Sequence, residues 1–175
     1  DGKVNLAPYS FFNAVSYRPP TLMFSVGAGA VSDDKIKDTR RNVEETGEFV
    51  HNIVTWDNRE AMNATSESFP ADVDELAAAG LTPLPSKLVK PPRVAQSPVQ
   101  LECKYLSSYT VPHVAPENKY VVIFGEVVGI HIDDAFITGD GLIDVAKLKP
   151  LGRLGYQDYA TVTGETQFTM ERPDL

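Results

Sequence analysis

The chain has 175 residues, 42% of them hydrophobic and 23% charged, with a formal net charge of -8. That length buries a core without staples, the composition excludes wholesale disorder, and the acidic balance argues against nucleic acid and anionic membranes as partners. An anionic ligand must therefore be held by a local device. Cys103 is the single cysteine, which leaves no internal disulfide framework and no cysteine-rich metal site and suits a reducing, cytoplasmic setting. No apolar run approaches the roughly 20 residues that span a bilayer. The chain opens Asp1-Gly2 without an initiator Met, so the natural N-terminus is expected upstream.

In chain order, Val4 to Leu6, Phe11 to Ser16 and Thr21 to Val26 read as short strands separated by the prolines Pro8, Pro19 and Pro20. A helix capped at Asp38 or Thr39 is expected to run to Thr46, with Gly47 as its stop. Phe49 to Trp56 returns to strand character. Asp57 is expected to cap a helix through Ser66, and Val73 to Ala79 forms another that ends at Gly80. The proline-rich stretch from Leu81 to Pro98 reads as an extended, exposed connection.

Val99 to Val111 and Lys119 to Asp133 are the longest strand candidates. In the second, apolar residues occupy both alternating faces, so both faces are expected to be covered. Its length exceeds that of an ordinary strand, and Gly125 and Gly129 are expected to mark bulges where it wraps a barrel. After a turn at Thr138 to Gly141 come a brief helix from Asp144 to Leu148, a loop Gly152-Arg-Leu-Gly-Tyr156 and a last strand near Gln167 to Glu171. Many strands with few short helices predict a closed β-barrel with helical additions, forming one domain over residues 1–175 with a helical and proline-rich insert at about 57–98.

Three clusters carry candidate chemistry. Tyr9, Ser10, Phe11, Asn13 and Ser16 place hydroxyls, a carboxamide and aromatic rings on an extended chain beside an irregular Ala7-Pro8 backbone, which suits the edge of a flat heterocycle. The same spacing fits core phenylalanines with Ser10 and Asn13 satisfying turns. Lys37-Asp38-Thr39, with Asn42 one turn on, sits where a helix start presents free amides and the positive end of its dipole to a phosphate; an ordinary helix cap with a solvated lysine has the same pattern. Arg153, Tyr156 and Tyr159 combine a guanidinium suited to an anion with phenols suited to stacking; a barrel-closing loop with an exposed arginine has the same pattern. His51, His113 and His131 have no companion at metal-ligand spacing, so no metal site is expected. His131 stands just before Asp133 and Asp134, which can tune its proton affinity at the rim of a pocket, although an ordinary surface turn fits the same residues. No serine-nucleophile pattern is present.

Taken in order, these stretches resemble the flavin reductase-like family of FMN-binding split-barrel proteins. The resemblance rests on Asn5-x-Ala-Pro-Tyr-Ser-Phe-Phe-Asn-Ala-Val-Ser16, Pro19-Pro20, Lys37-Asp-Thr-x-x-Asn42 leading into Gly47-Glu-Phe-Val50, Glu102-Cys103, Gly125-Glu-Val-Val-Gly-Ile-His131 and Arg153-Leu-Gly-x-x-x-Tyr159. The segment from Asp57 to Pro98 is similar to the subgroup of flavoprotein oxygenases and nitrilotriacetate monooxygenase component B. The resemblance implies a mainly β, six-stranded Greek-key split barrel that forms a homodimer with FMN at the subunit interface.

By the same resemblance, Pro8, Tyr9, Ser10, Phe11 and Asn13 would line the isoalloxazine, and Ser16 would reach the ribityl chain or phosphate. Lys37 and Thr39 would bind phosphate, Arg153 and Tyr156 would approach from the C-terminal part or from the partner, and Ala14, Ser32, Asp38 and Asn42 complete the implied cofactor contacts. His131 is carried over without an assigned role, and no side chain is implied to be catalytic, because hydride would pass from a nicotinamide to flavin N5. The implied activity is an NAD(P)H-dependent flavin reductase that can supply a flavin-dependent monooxygenase. Two alternatives stay open: an FMN-binding carrier or sensor without turnover, and a split barrel for another flavin-like or tetrapyrrole-like cofactor with a histidine ligand.

Overall fold

A computed structural model describes residues 4–28, 36–67, 69, 73–112 and 119–173. Ser32 and His113 lie outside the described residues. The first hairpin consists of β1 (Phe12–Tyr17) and β2 (Pro20–Val26), with the turn at Arg18 and Pro19, whose peptide bond is cis. Helix α1 (Asp38–Thr46) follows, then β3 (Glu48–Asn52), α2 (Arg59–Ala64), α3 (Glu75–Ala78), β4 (Pro83–Leu84) and β5 (Arg93–Val94). The long strands β6 (Val99–Thr110) and β7 (Val121–Ile132) precede α4 (Val145–Leu148), β8 (Leu151–Gly155) and β9 (Asp158–Thr161).

Five strands form one antiparallel sheet in the order β1-β2-β7-β6-β3, and β4-β5 and β8-β9 are separate two-stranded pairs. The sheet coils until its edge strands meet through side chains: the Phe12 ring of β1 stacks on the His51 ring of β3, with centroids 3.9 Å apart and planes 2° from parallel. The barrel is thus closed by rings where no backbone ladder joins β1 to β3. Leu22, Phe24 and Val26 of β2, Val43 of α1, Phe49 of β3, Cys103 of β6, and Val121 and Ile123 of β7 form its core. The Cys103 thiol is fully buried and pushed up to about 12 by burial, so it acts as a small apolar side chain.

One of the two bulges expected in β7 is present, with Val128 as the extra residue beside Gly129; at Gly125 the extra residue is Leu106 of the facing strand β6. The β6–β7 register slips between Glu102 and Cys103, opposite Gly129 and Val127, and again between Tyr105 and Ser107, opposite Gly125 and Phe124. Gly125 also leaves room for the core: a Cβ there would lie 2.4 Å from Cζ of Phe49. α1 ends at Thr46 as expected, with Gly47 in the left-handed region (φ 70) donating its N–H to the Val43 carbonyl at 2.9 Å, but its start is corrected: Lys37 is the N-cap residue, and Asp38 and Thr39 lie inside the first turn instead of capping it.

Several expectations are corrected. Val4 to Leu6 is not a strand, because the Leu6 N–H goes to the carboxylate of Glu75 instead of a neighbouring strand. β3 ends at Asn52, after which Thr55 makes an isolated bridge to Pro150. The second helix begins after Asn58, not Asp57, since the Asn58 side chain accepts from Thr55 N–H at 2.8 Å. The 81–98 stretch is not simply exposed: it pairs Pro83 with Val94 and Leu84 with Arg93, and it buries Val89, Val94 and Ser97. Residues 167–171 are irregular, and the last ladder is the β8–β9 hairpin, so Arg153 and Tyr156 sit on a hairpin rather than a loop. Among the described residues the principal sheet has five strands rather than the six implied, and Leu151 N–H continues past β3 by bonding the Val54 carbonyl. The outer face of β7 is only half covered, with Ile130 exposed.

The stacked His51 is half-buried with its Nε2 buried and without a hydrogen-bond partner among the described residues, and desolvation lowers its pKa from an ordinary 6.5 to about 4. The fold therefore prefers the neutral ring. Its contribution to stability is complete above pH 6.5 and is lost as pH falls through about 4, a difference of roughly 3 kcal/mol. Thermal melts from pH 7 to pH 4 should show a steeper loss for the wild type than for His51→Phe, which keeps a ring at the seam and removes the proton site.

Candidate functional site

The first two sequence clusters meet. Residues 4–11 run without helix or strand, and hydrogen bonds from Asn5 and Leu6 tie them to two helices. The Thr39 hydroxyl donates to Asn5 Oδ1 at 2.7 Å, and Asn5 Nδ2 donates to Glu75 Oε2 at 2.7 Å. Leu6 N–H donates to the same Glu75 oxygen at 2.5 Å. The segment is thereby tied to α1 through Thr39 and to α3 through Glu75. Burial raises the Glu75 carboxyl above its usual range; the bonds from Leu6 and Asn5 oppose this, and the nearby charges of Asp38 and Asp74 add to it.

Tyr9 packs inward, 5.0 Å between ring centroids from Phe24. Its phenol oxygen is buried with no well-formed hydrogen bond among the described residues, and burial pushes the phenol up to about 12 despite a smaller opposing influence from Thr39. Pro8 is half-buried beside it, while Ser10, Phe11, Asn13 and Ala14 are exposed along the start of β1. Phe11 sets its ring edge-on to Tyr120 at 6.3 Å, and its carbonyl accepts from Ser25 N–H. Ser16 lies toward the far end of β1, where its hydroxyl donates to the Pro19 carbonyl at 2.6 Å.

At the start of α1, Lys37 is extended and exposed and contributes no side-chain cap. The first-turn amides are thus uncapped among the described residues, and a helix start in that state attracts anions. Asp38 is not free to face a ligand, because it accepts from Arg41 Nη1 at 2.5 Å. Arg40 is likewise paired, with Glu44 one turn on. Asn42 is exposed on the same helix.

The third cluster is not brought to the other two within this chain. Arg153 donates from Nη2 to the Tyr156 carbonyl at 2.7 Å, across the β8–β9 turn, and Tyr156 has a positive φ of 49 and is 93% exposed. No hydrogen bond or ring contact of the described residues links Arg153, Tyr156 or Tyr159 to Tyr9 or α1.

His131 does not pair with Asp133 or Asp134. Asp133 caps the turn at Asp134–Phe136 through Ala135 N–H, whereas His131 Nε2 contacts Glu102 Oε1 at 2.5 Å. Glu102 is fully buried on β6, and its oxygens also accept from the N–H groups of Lys87 (2.8 Å), Leu88 (2.6 Å) and Val89 (3.0 Å). Burial works to raise this carboxyl, but the three amides and His131 outweigh it and lower it to about 2. His131 therefore braces a carboxylate that fastens the 81–98 stretch to the barrel. Sequence reasoning missed Glu102 as an anchor and Glu75 altogether; an acidic residue opening a short helix ordinarily reads only as a complement to the helix dipole.

With this geometry in hand, comparison with known proteins decides the family. The sequence profile described as "Flavin reductase like domain" matches residues 1–147. The chain belongs to the flavin reductase like family. An uncharacterized protein of Aquifex aeolicus is 42% identical over 165 residues, covering 94% of this chain and 80% of its own. Among solved structures, nitrilotriacetate monooxygenase component B from Bacillus cereus superposes with a TM-score of 0.84 at 32% identity, over 94% of this chain and 78% of the other. The 2-nitrobenzoate 2-nitroreductase NbaA of Pseudomonas fluorescens gives 0.79 at 28% identity, over 97% and 80%. The mainly β split barrel of the flavin reductase like family is thus the fold of this chain, and the matched residues include the first two clusters but stop short of Arg153 and Tyr156. No helix among the described residues is long and apolar enough to cross a membrane.

Replacing Glu102 with Gln removes the charge and weakens acceptors that serve three buried amides. Glu102→Gln should cost about 2–3 kcal/mol of stability in a denaturant titration, with faster hydrogen exchange at Lys87 to Val89.

Proposed function

We propose that this chain binds FMN and acts as an NAD(P)H-dependent flavin reductase. The observation that carries the reading is the bond from Thr39 to Asn5, which joins the aromatic segment of residues 8–13 to the uncapped, lysine-flanked start of α1. A phosphorylated flavin has those two parts, a flat ring and a dianionic tail. The buried Tyr9 oxygen, which has no well-formed hydrogen bond among the described residues, adds a polar contact for the ring side. Ser10, Phe11, Asn13 and Ala14 present side chains and amides along the ring edge, while Lys37 and the amides of Asp38 and Thr39 receive the phosphate. Because its proton goes to Asn5, the Thr39 hydroxyl holds the segment in place, and the Thr39 N–H is its donor to the phosphate.

FMN, when bound, supplies the ring atom that accepts hydride from a nicotinamide. The protein's part is to hold the ring against the nicotinamide and to place donors where negative charge develops, so no acid–base dyad is required. The number of large apolar side chains left exposed on one chain, among them Tyr17 (94%) and Tyr156 (93%) as well as Phe11, Val15 and Tyr109, supports a homodimer. In that dimer Arg153 and Tyr156 reach the partner's site, Ser16 lies toward the shared face, and residues 1–175 act as one domain. The likeness to a monooxygenase component B supports reduced flavin passing to a separate monooxygenase. The lone buried Cys103 supports a cytoplasmic setting.

The purified protein should bind FMN and oxidise NADH or NADPH when FMN is added. Bound FMN without nicotinamide oxidation would make it a carrier instead. Lys37→Ala should weaken FMN by about ten-fold or more while changing riboflavin by less than about two-fold, since only the phosphate loses a charge-assisted contact. Equal losses for both flavins would place the phosphate elsewhere.

A further inference from the structure

We propose that Glu75 is a positioning residue: it sets the spacing between the ring-facing segment and the phosphate-facing helix start, and so makes the site select a phosphorylated flavin over its unphosphorylated parent. The inference rests on the functional reading above. It comes from a convergence of bonds that no sequence motif announces. One oxygen of Glu75 accepts both the Leu6 N–H and the Asn5 carboxamide N–H. Because the carboxylate takes the nitrogen end of Asn5, the oxygen end must face α1, where it accepts the Thr39 hydroxyl. The orientation of one side chain thus fixes which atoms the next one offers.

Three consequences follow from that order. The backbone at Leu6 is pinned, which fixes where Pro8 and Tyr9 stand. Thr39 is held with its hydroxyl turned to Asn5, so the first-turn amides of α1 are left to an outside anion. The two anchors of a ligand that spans both parts are thereby kept at a constant separation, and each anchor raises the effective concentration of the other. A ligand that uses only the ring-facing segment gains nothing from the spacing. Glu75 belongs to α3, in the segment between β3 and β6 that contributes nothing to the barrel sheet, which gives that segment a part in ligand choice.

The test measures FMN and riboflavin affinities by quenching of flavin fluorescence, using the full chain. Glu75→Ala should weaken FMN by about ten-fold and riboflavin by less than about two-fold, by loss of the second anchor's advantage. Glu75→Gln should keep both affinities within about three-fold of wild type, because a single amide oxygen can accept the two bonds that now share one carboxylate oxygen. If Glu75→Ala does not fold, Asn5→Ala breaks the same relay from its middle and should lower the preference for FMN over riboflavin by at least about three-fold.

Equal weakening of both flavins in Glu75→Ala, equal loss of FMN in the Gln and Ala variants, or an unchanged preference in Asn5→Ala overturns the inference. Wild-type protein that binds neither flavin contradicts the functional reading and the inference with it. Wild-type protein that binds FMN, with variants that behave as wild type, contradicts the inference alone.

Discussion

Strand β7 has to bend, and the molecule depends on that bend. It pairs with β2 along its first half and with β6 along its whole length, and it meets the Phe49 ring at a position where any side chain would collide. With Gly125 there, Phe49 enters the core and packs edge-on to Phe24, 5.3 Å between centroids. The extra residues in the β6–β7 ladder increase the local twist. Coiling then carries β1 round to β3, and Phe12 meets His51. The segment before β1 arrives over α1 as a result of that closure, so the geometry of the candidate site descends from packing in the barrel.

Segments outside the barrel are fixed by a different device. Glu102 takes three consecutive amides of the 81–98 stretch, Glu48 takes the next one from Lys90 at 2.8 Å, and Glu75 takes Leu6 and Asn5. A carboxylate suits this use because each oxygen accepts several hydrogen bonds, and stretches rich in proline or irregular in backbone cannot satisfy their amides in a ladder. The Glu48 carboxyl is lowered by the Lys90 amide first and by Lys104 next, consistent with an acceptor whose charge is used. The acidic composition of the chain is thus partly internal fastening.

Much of the barrel was legible in the sequence because it rests on local signals. Gly47 stops α1 where its left-handed backbone requires glycine, and Gly129 announces the bulge in a strand too long to stay flat, whereas the second bulge lies in β6 opposite Gly125. The two candidate clusters were legible as separate patterns, and Asn5 stood in the motif that leads into the first. Their junction was not, since a bond between residues 34 apart has no local signature. The β8–β9 hairpin was missed because its turn at Tyr156 and Gln157 lacks the Asn-Gly or Asp-Gly pair that marks tight hairpins. His131 was read against its neighbours in sequence, whereas its partner Glu102 lies across the β6–β7 ladder. The extended 81–98 stretch looked exposed because its prolines hide the few amides that Glu102 collects.

The central claim is that residues 6–13 and the first turn of α1 form one ligand site. Hydrogen exchange of the full chain, with and without saturating FMN, tests it most directly. The account predicts that amides in both stretches slow together when FMN is added, while riboflavin slows those before and within β1 and leaves Asp38 to Arg40 largely unchanged. Protection confined to one stretch with FMN, or none in either, would contradict it.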